Sequence, residues 1–158
     1  MFLIHPITRN IAATVWNRLR TRFGFLNVKG EAQLTQQYRE KLNIRTPSIL
    51  QLVNNLSGGN RQKVSIAKWL AAGCDVLIID EPTVGVDIGA KEYIHNLIWK
   101  LAREDGKAIV LISSDMPEMI KLARRILVFR DRRIVGEVDN RSEGSFEEVS
   151  QRIGHFLA

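Results

Sequence analysis

The 158-residue chain is 45% hydrophobic and 25% charged, which excludes a disordered or fibrous chain and is sufficient for one globular domain with a core. No apolar run approaches the roughly 20 residues needed to cross a bilayer, and Met1-Phe2-Leu3-Ile4 leads into His5 and Pro6 rather than a signal-peptide pattern, so membrane contact is expected only through a partner. The net charge of +6 permits attraction to phosphate, nucleic acid or anionic lipid, but the cations are scattered, with local concentrations at Arg18 to Arg22 and Arg124 to Arg133, and they read as a solvated surface.

In chain order, the pattern predicts helices over Ile11 to Leu26 and Glu31 to Leu42, the second carrying Leu34, Tyr38 and Leu42 on one face. Gly24, Gly30 and Pro47 punctuate this half. A third helix is predicted to start at Ser57 with Gly58 and Gly59, carry Val64, Ala67 and Leu70 as an apolar stripe, and stop at Gly73. Cys74, the lone cysteine, has no second thiol to pair with and is expected to pack beside the strand that follows. Val76 to Ile79 is a short, branched, continuously apolar run, the pattern of a parallel strand covered on both faces, and Asp80 and Glu81 lie at its C-terminal end.

A helix from about Gly89 to Arg103 follows, with Gly106 ending it, and then a second buried strand, Ala108 to Ile112. Asp115 is placed to cap a helix from Met116 to about Arg124, with Glu118 as its capping-box partner and Pro117 tolerated in the first turn. Ile126 to Phe129 and Arg133 to Val138 read as strands around an Asp131-Arg132 turn, and Phe146, Val149 and Ile153 fall at helical spacings in the tail. Strands alternating with helices indicate an α/β sheet ending in antiparallel strands. The boundaries divide a single domain over 1–158 into regions 1–72, 73–140 and 141–158.

Two places in this pattern carry chemistry. Unpaired N–H groups and the positive helix dipole at a glycine-rich helix start make Ser57, Gly58 and Gly59 a candidate phosphate site, with a simple serine cap and glycine turn as the alternative. Asp80, fixed at the C-terminal end of a strand, suits the holding of hydrated Mg²⁺, and Glu81 suits the orientation or deprotonation of a water. The alternative is a pair of solvated carboxylates.

Taken in order, Leu56-Ser57-Gly58-Gly59-Asn60, then Val76 to Thr83, then Val84-Gly85-Val86-Asp87, the chain resembles ABC-type ATP-binding domains. The resemblance implies a partial P-loop NTPase fold, with a helical signature region and a mostly parallel sheet. It implies ATP and Mg²⁺ as cofactors. Leu56 to Asn60 correspond to the signature, Asp80 and Glu81 to the Walker B carboxylates, and Asp87 to the D-loop aspartate, which is equally suited to capping the next helix. Ser114 stands where the family's switch histidine contacts the terminal phosphate. A serine hydroxyl can hydrogen-bond phosphate but carries no charge and shuttles no proton as imidazole does. Ser113-Ser114-Asp115-Met116-Pro117-Glu118, with Asn60 in place of glutamine, resembles the second nucleotide-binding domain of bacterial ribose- and galactose-type importers. His5 and His95 are not substitutes for the switch histidine; His95 falls mid-helix, where a surface or partly buried histidine is expected.

No Gly-x-x-x-x-Gly-Lys-Ser/Thr loop occurs, and Gly106-Lys107 lies between a helix and a strand. The resemblance therefore covers the C-terminal portion of the family domain, without its N-terminal strands and Walker A loop, and exposed sheet edges with a tendency to aggregate are expected. It implies a truncated or split domain whose signature completes the ATP site of a partner that supplies Walker A. Sugar permease subunits would hold it at the inner face of the cell membrane, with no nucleic-acid partner. Alone, the chain is expected to hydrolyse no ATP. Two alternatives remain from the sequence: a non-catalytic interaction remnant, and a DNA-maintenance ATPase lobe of the SMC type, which should lead out of a long coiled coil that the residues before Leu56 lack.

Overall fold

The computed structural model describes residues 1–141 and 144–157. The chain divides into two compact units, Met1–Leu77 with Thr83–Ile94, and Ile78–Pro82 with His95–Ala158. Residues 142, 143 and 158, within the predicted tail, lie outside the described residues.

The first unit is built on three helices, α1 (Ile7–Ala12), α2 (Val28–Lys41) and α3 (Gly58–Ala72), with a 3-10 turn at Val53–Asn55. Helix α1 packs on both α2 and α3, and its Ile7, Ile11 and Ala12 are fully buried in a core shared with Leu42, Val53, Val64 and Ala67. Asn27 caps α2 by accepting from the Gly30 amide at 3.0 Å. Gly73, with φ of 76°, closes α3 in the left-handed conformation that glycine adopts without a Cβ penalty.

The helix predicted over Ile11 to Leu26 is not formed. After Ala12 the backbone continues in three-residue turns, Val15 bonding Ala12 and Arg18 bonding Val15, and Thr14 donates its hydroxyl to the Lys68 carbonyl at 2.8 Å. Residues 20–26 then fold back on themselves through an Arg20–Leu26 bridge and Gly24 at φ of 83°. A glycine in that conformation and the β-branched pair Thr14-Val15 oppose continuation of the helix.

In the second unit, strand β1 (Val76–Asp80), of which Ile78 to Asp80 belong here, pairs with β2 (Ala108–Ile112). The Glu81 amide just beyond β1 donates to Ile112 at the end of β2 at 2.9 Å, so both strands finish at the same edge and run in the same direction. Leu77 and Ile79 are buried, whereas Ile78 is 71% exposed and Val76, Val110 and Ile112 are also exposed. The expected burial of β1 on both faces is thus corrected. Its apolar run is continuous, yet only one face is covered by residues of this chain.

Helix α4 (Ile88–Arg103) precedes β2, and helix α5 (Met116–Leu122) follows it. Strands β3 (Arg125–Arg130) and β4 (Arg133–Asp139) form an antiparallel hairpin whose two turn residues, Asp131 and Arg132, both have positive φ, as the tightest hairpin turn requires. Helix α6 (Phe146–Leu157) lays Val149 and Ile153 against Ile126, Val128 and Val138, and Phe156 sits over Gly136, where a side chain would collide with its ring.

Candidate functional site

The predicted site residues fall into two groups, one in each unit. In the first unit, Ser57 occupies the N-cap position of α3, but its hydroxyl does not cap the helix. It accepts instead from the Asn60 side-chain amide at 2.9 Å, and the Asn60 carbonyl oxygen accepts from the Arg45 amide at 2.8 Å. Asn60 therefore ties the helix start to the chain that leaves α2. No acidic residue occupies the first turn of α3, so the dipole's positive end is not offset there.

Gly58 and Gly59 meet the segment that follows β1. A Cβ on Gly58 would lie 2.6 Å from the Gly85 carbonyl oxygen, and one on Gly59 would lie 2.6 Å from the Ala90 Cβ. Asp87 caps α4 by accepting from the Ala90 amide at 2.9 Å. Ser57, Gly58, Gly59, Asn60 and Asp87 are thus brought into one neighbourhood.

Sequence reasoning missed the clamp behind this neighbourhood. Lys63, buried on α3, donates to the Asn43 carbonyl at 2.9 Å, and its ammonium lies 3.5 Å from the centre of the Tyr93 ring. The Tyr93 hydroxyl donates to the Leu42 carbonyl at 2.6 Å. Two donors from α3 and α4 thus satisfy carbonyls at the C-terminal end of α2, where a positive charge is favoured. Burial, with Arg45 nearby, lowers the Lys63 pKa, and burial raises that of Tyr93. The only available signal was the position of Lys63 beside Val64 on the buried stripe.

In the second unit, Asp80 is exposed at the end of β1, and Glu81 follows with φ of 44°, an uncommon conformation for a side chain of its size. The Glu81 carboxylate accepts from the backbone amide of Ser114 at 2.9 Å, so the strand end and the segment after β2 are joined at the predicted residues. The Ser113 hydroxyl accepts from the Asp115 amide, and Asp115 caps α5 by accepting from the Glu118 amide at 2.9 Å. The expected capping box is only half formed, because the Glu118 carboxylate meets His95 at 2.7 Å. His95 is 5% exposed and Glu118 1%, which corrects the expectation of a surface or partly buried histidine. Among the described residues no cluster of three or more His, Cys, Asp or Glu could hold a metal ion by itself, and no helix is long and apolar enough to cross a membrane.

Residues 8–84 match the family described as ABC transporter. The chain is 44% identical over 143 residues to the ribose import ATP-binding protein RbsA of Clostridium perfringens, covering 90% of this chain and 28% of that protein. It is also 44% identical over 145 residues to a Burkholderia cenocepacia protein provisionally named as a ribose/galactose/methyl galactoside import ATP-binding protein, covering 92% of this chain and 28% of the relative. The chain thus spans little more than a quarter of the length of these relatives. Among solved structures, a dimeric ATP-binding cassette in a post-hydrolysis state with ADP and Pi superposes with a TM-score of 0.72 at 24% identity, over 89% of this chain and 59% of that one. The fold is that of a partial ABC ATPase cassette of the P-loop NTPase class.

Proposed function

This chain belongs to the ABC transporter family, and on that premise we propose that it is the ATP-binding component of an importer for a ribose- or galactose-type sugar. The observation that carries this reading is 44% identity over 143 residues to a ribose import ATP-binding protein, together with two motif groups preserved in order. The DNA-maintenance alternative has no counterpart in the relatives described above.

In this reading Ser57, Gly58, Gly59 and Asn60 close on a nucleotide held by the Walker A loop of a second ABC domain, with Asp87 at the junction. The start of α3 suits phosphate, since its first N–H groups have no helical partners and no carboxylate lies in its first turn. Asp80 is a single exposed oxygen ligand. That fits Mg²⁺, an ion that takes most of its ligands from water and phosphate, and the ion would supply charge neutralisation on the phosphates. Glu81 orients or deprotonates the attacking water, and the Ser114 hydroxyl hydrogen-bonds a phosphate oxygen without the charge of an imidazole. Permease subunits would hold the chain at the cytoplasmic face of the membrane, and neither DNA nor RNA takes part.

Co-expression with a chain that carries a Walker A loop tests this. ATP hydrolysis is expected only in the mixed assembly, and it should fall sharply with Ser57→Ala. Mg²⁺-dependent turnover by the purified chain alone, abolished by Glu81→Gln, would overturn the division of labour.

A further inference from the structure

Residues 1–30 contain five cations, Arg9, Arg18, Arg20, Arg22 and Lys29, and no carboxylate. The first acidic residue, Glu31, is buried beside Arg9, 3.7 Å away, so it presents no negative charge to the surface. Within this stretch the folded-back loop of residues 20–26 carries Phe23 and Phe25 at 84% and 75% exposure, and Arg18, Arg20, Arg22 and Lys29 are all exposed around it. Two aromatic side chains so open to water on one short loop, set among exposed cations, form a patch of the kind that marks an interaction surface.

The loop is closed by its own hydrogen bonds. Thr21 N–H donates to Phe25 O at 2.7 Å, Gly24 N–H to Thr21 O at 2.9 Å, Phe25 N–H to the Thr21 hydroxyl at 3.1 Å, and Asn27 N–H to Leu19 O at 2.7 Å. Backbone donors satisfied within a turn lower the cost of moving that turn out of bulk water, where an unpaired N–H is expensive. Gly24, with φ of 83°, makes the turn possible and keeps bulk away from its apex between the two phenylalanines.

From these features the geometry points to a membrane-surface contact: the loop Arg20–Leu26 seats Phe23 and Phe25 in the headgroup boundary of an anionic bilayer, with Arg20 and Arg22 on lipid phosphates. Exposed phenylalanine interleaved with long cationic side chains is a combination that binds at such an interface, because arginine keeps its head at the phosphates while its stem lies along apolar surface. Attraction to the anionic leaflet fades over about 8 Å at physiological salt, so the arginines must reach the headgroups, as exposed side chains at a loop apex can. The contact is direct and independent of any permease. It does not depend on the importer reading.

Sedimentation of the 158-residue chain with vesicles tests the assignment. The chain is expected to co-sediment with vesicles of phosphatidylglycerol and phosphatidylcholine in equal parts, far less with phosphatidylcholine alone, and progressively less as salt is raised. Arg20→Gln with Arg22→Gln should weaken binding about 25-fold, at about fivefold per basic side chain near an anionic surface. Phe23→Ser with Phe25→Ser should weaken it about tenfold or more, from lost burial of two phenyl groups. All four side chains are exposed, so both variants should melt at the parent temperature, and the emission of a Phe23→Trp variant should shift to the blue with the mixed vesicles. Absence of co-sedimentation at low salt, unchanged Trp emission, or unchanged vesicle binding by the phenylalanine variant overturns the proposal. Equally strong capture by immobilised polyglutamate also overturns it, and points to an acidic protein surface instead.

Discussion

The backbone amide of Ser114 holds the carboxylate of Glu81 at 2.9 Å. Because the bond uses the main chain, the serine side chain is free for another role, and the two functions of position 114 can be separated. Ser114→Ala keeps the anchor and Ser114→Pro removes its donor. In an assembly that hydrolyses ATP, Ser114→Ala should lower turnover by about tenfold, the low end for one hydrogen bond to a charged phosphate, whereas Ser114→Pro should lower it further by releasing Glu81. Steady-state hydrolysis by the two variants side by side checks this, and a proline variant no worse than alanine would remove Glu81 anchoring from the account.

The close approach of Gly59 to Ala90 makes a reciprocal prediction. Gly59→Ala should destabilise the chain by about 1–3 kcal/mol through overpacking, and Ala90→Gly in the same chain should recover much of it by vacating the space. Denaturant midpoints of the parent, both single variants and the double variant form the required cycle. Additive effects would show that the two positions do not share that space.

Removal of His95 takes away the ring nitrogen that lies 2.7 Å from the buried Glu118 carboxyl oxygen. His95→Ala should therefore cost about 1–3 kcal/mol, as expected when a buried polar group loses its hydrogen-bond partner. Replacing both, His95→Ala with Glu118→Leu, should be the milder change, since no buried carboxyl is left short of a hydrogen-bond partner. Thermal unfolding distinguishes the cases, and a double variant less stable than His95→Ala would contradict the hydrogen-bond argument.

A titration provides a fourth test. The Arg141 side chain and amide donate to the Asp139 carboxylate, which holds its pKa down to about 2. The folded value lies below the unfolded value near 3.8, so the associated stabilisation is complete above that value and is lost as pH falls toward 2. Carboxyl chemical shifts should show Asp139 titrating near 2 in the parent and closer to its ordinary value in Arg141→Ala. Both groups are solvent-exposed, so global stability should change little.

Ile78, Val110 and Ile112 present an apolar strand surface to water. Ile78→Lys should reduce light scattering on concentration without lowering the unfolding midpoint, because the side chain it replaces is exposed. Loss of stability instead would show that this face is covered in solution.

Much of this was legible in the residues. The start and stop of α3 follow from Ser57 and Gly73, the cap of α5 from Asp115, and the hairpin from Asp131 and Arg132, because each is set by local backbone chemistry. Helix α2 begins at Val28, three residues before the predicted start, owing to the Asn27 cap. The difference at 11–26 has a local cause, since the apolar spacing there runs through Gly24, whose positive φ no helix accommodates. The exposed face of β1 has no local cause. An apolar run states that a surface is suited to burial and not which polypeptide buries it. The His95–Glu118 pair and the Lys63–Tyr93 clamp were hidden for a related reason, each joining residues far apart in the chain whose side-chain types are commonplace on helices.

The missing Cβ atoms of Gly58 and Gly59 are filled by the Gly85 carbonyl and by Ala90. The first turn of α3 and the segment leading into α4 are therefore nested like two gear teeth, and neither can shift by an ångström while the other stays in place. A contact that displaces Asp87 would therefore be transmitted to the start of α3, the proposed phosphate site. The same nesting means that a bulky side chain at either glycine jams the gear before any nucleotide arrives, so inactivity in such a variant is a mechanical failure and not a measure of phosphate recognition.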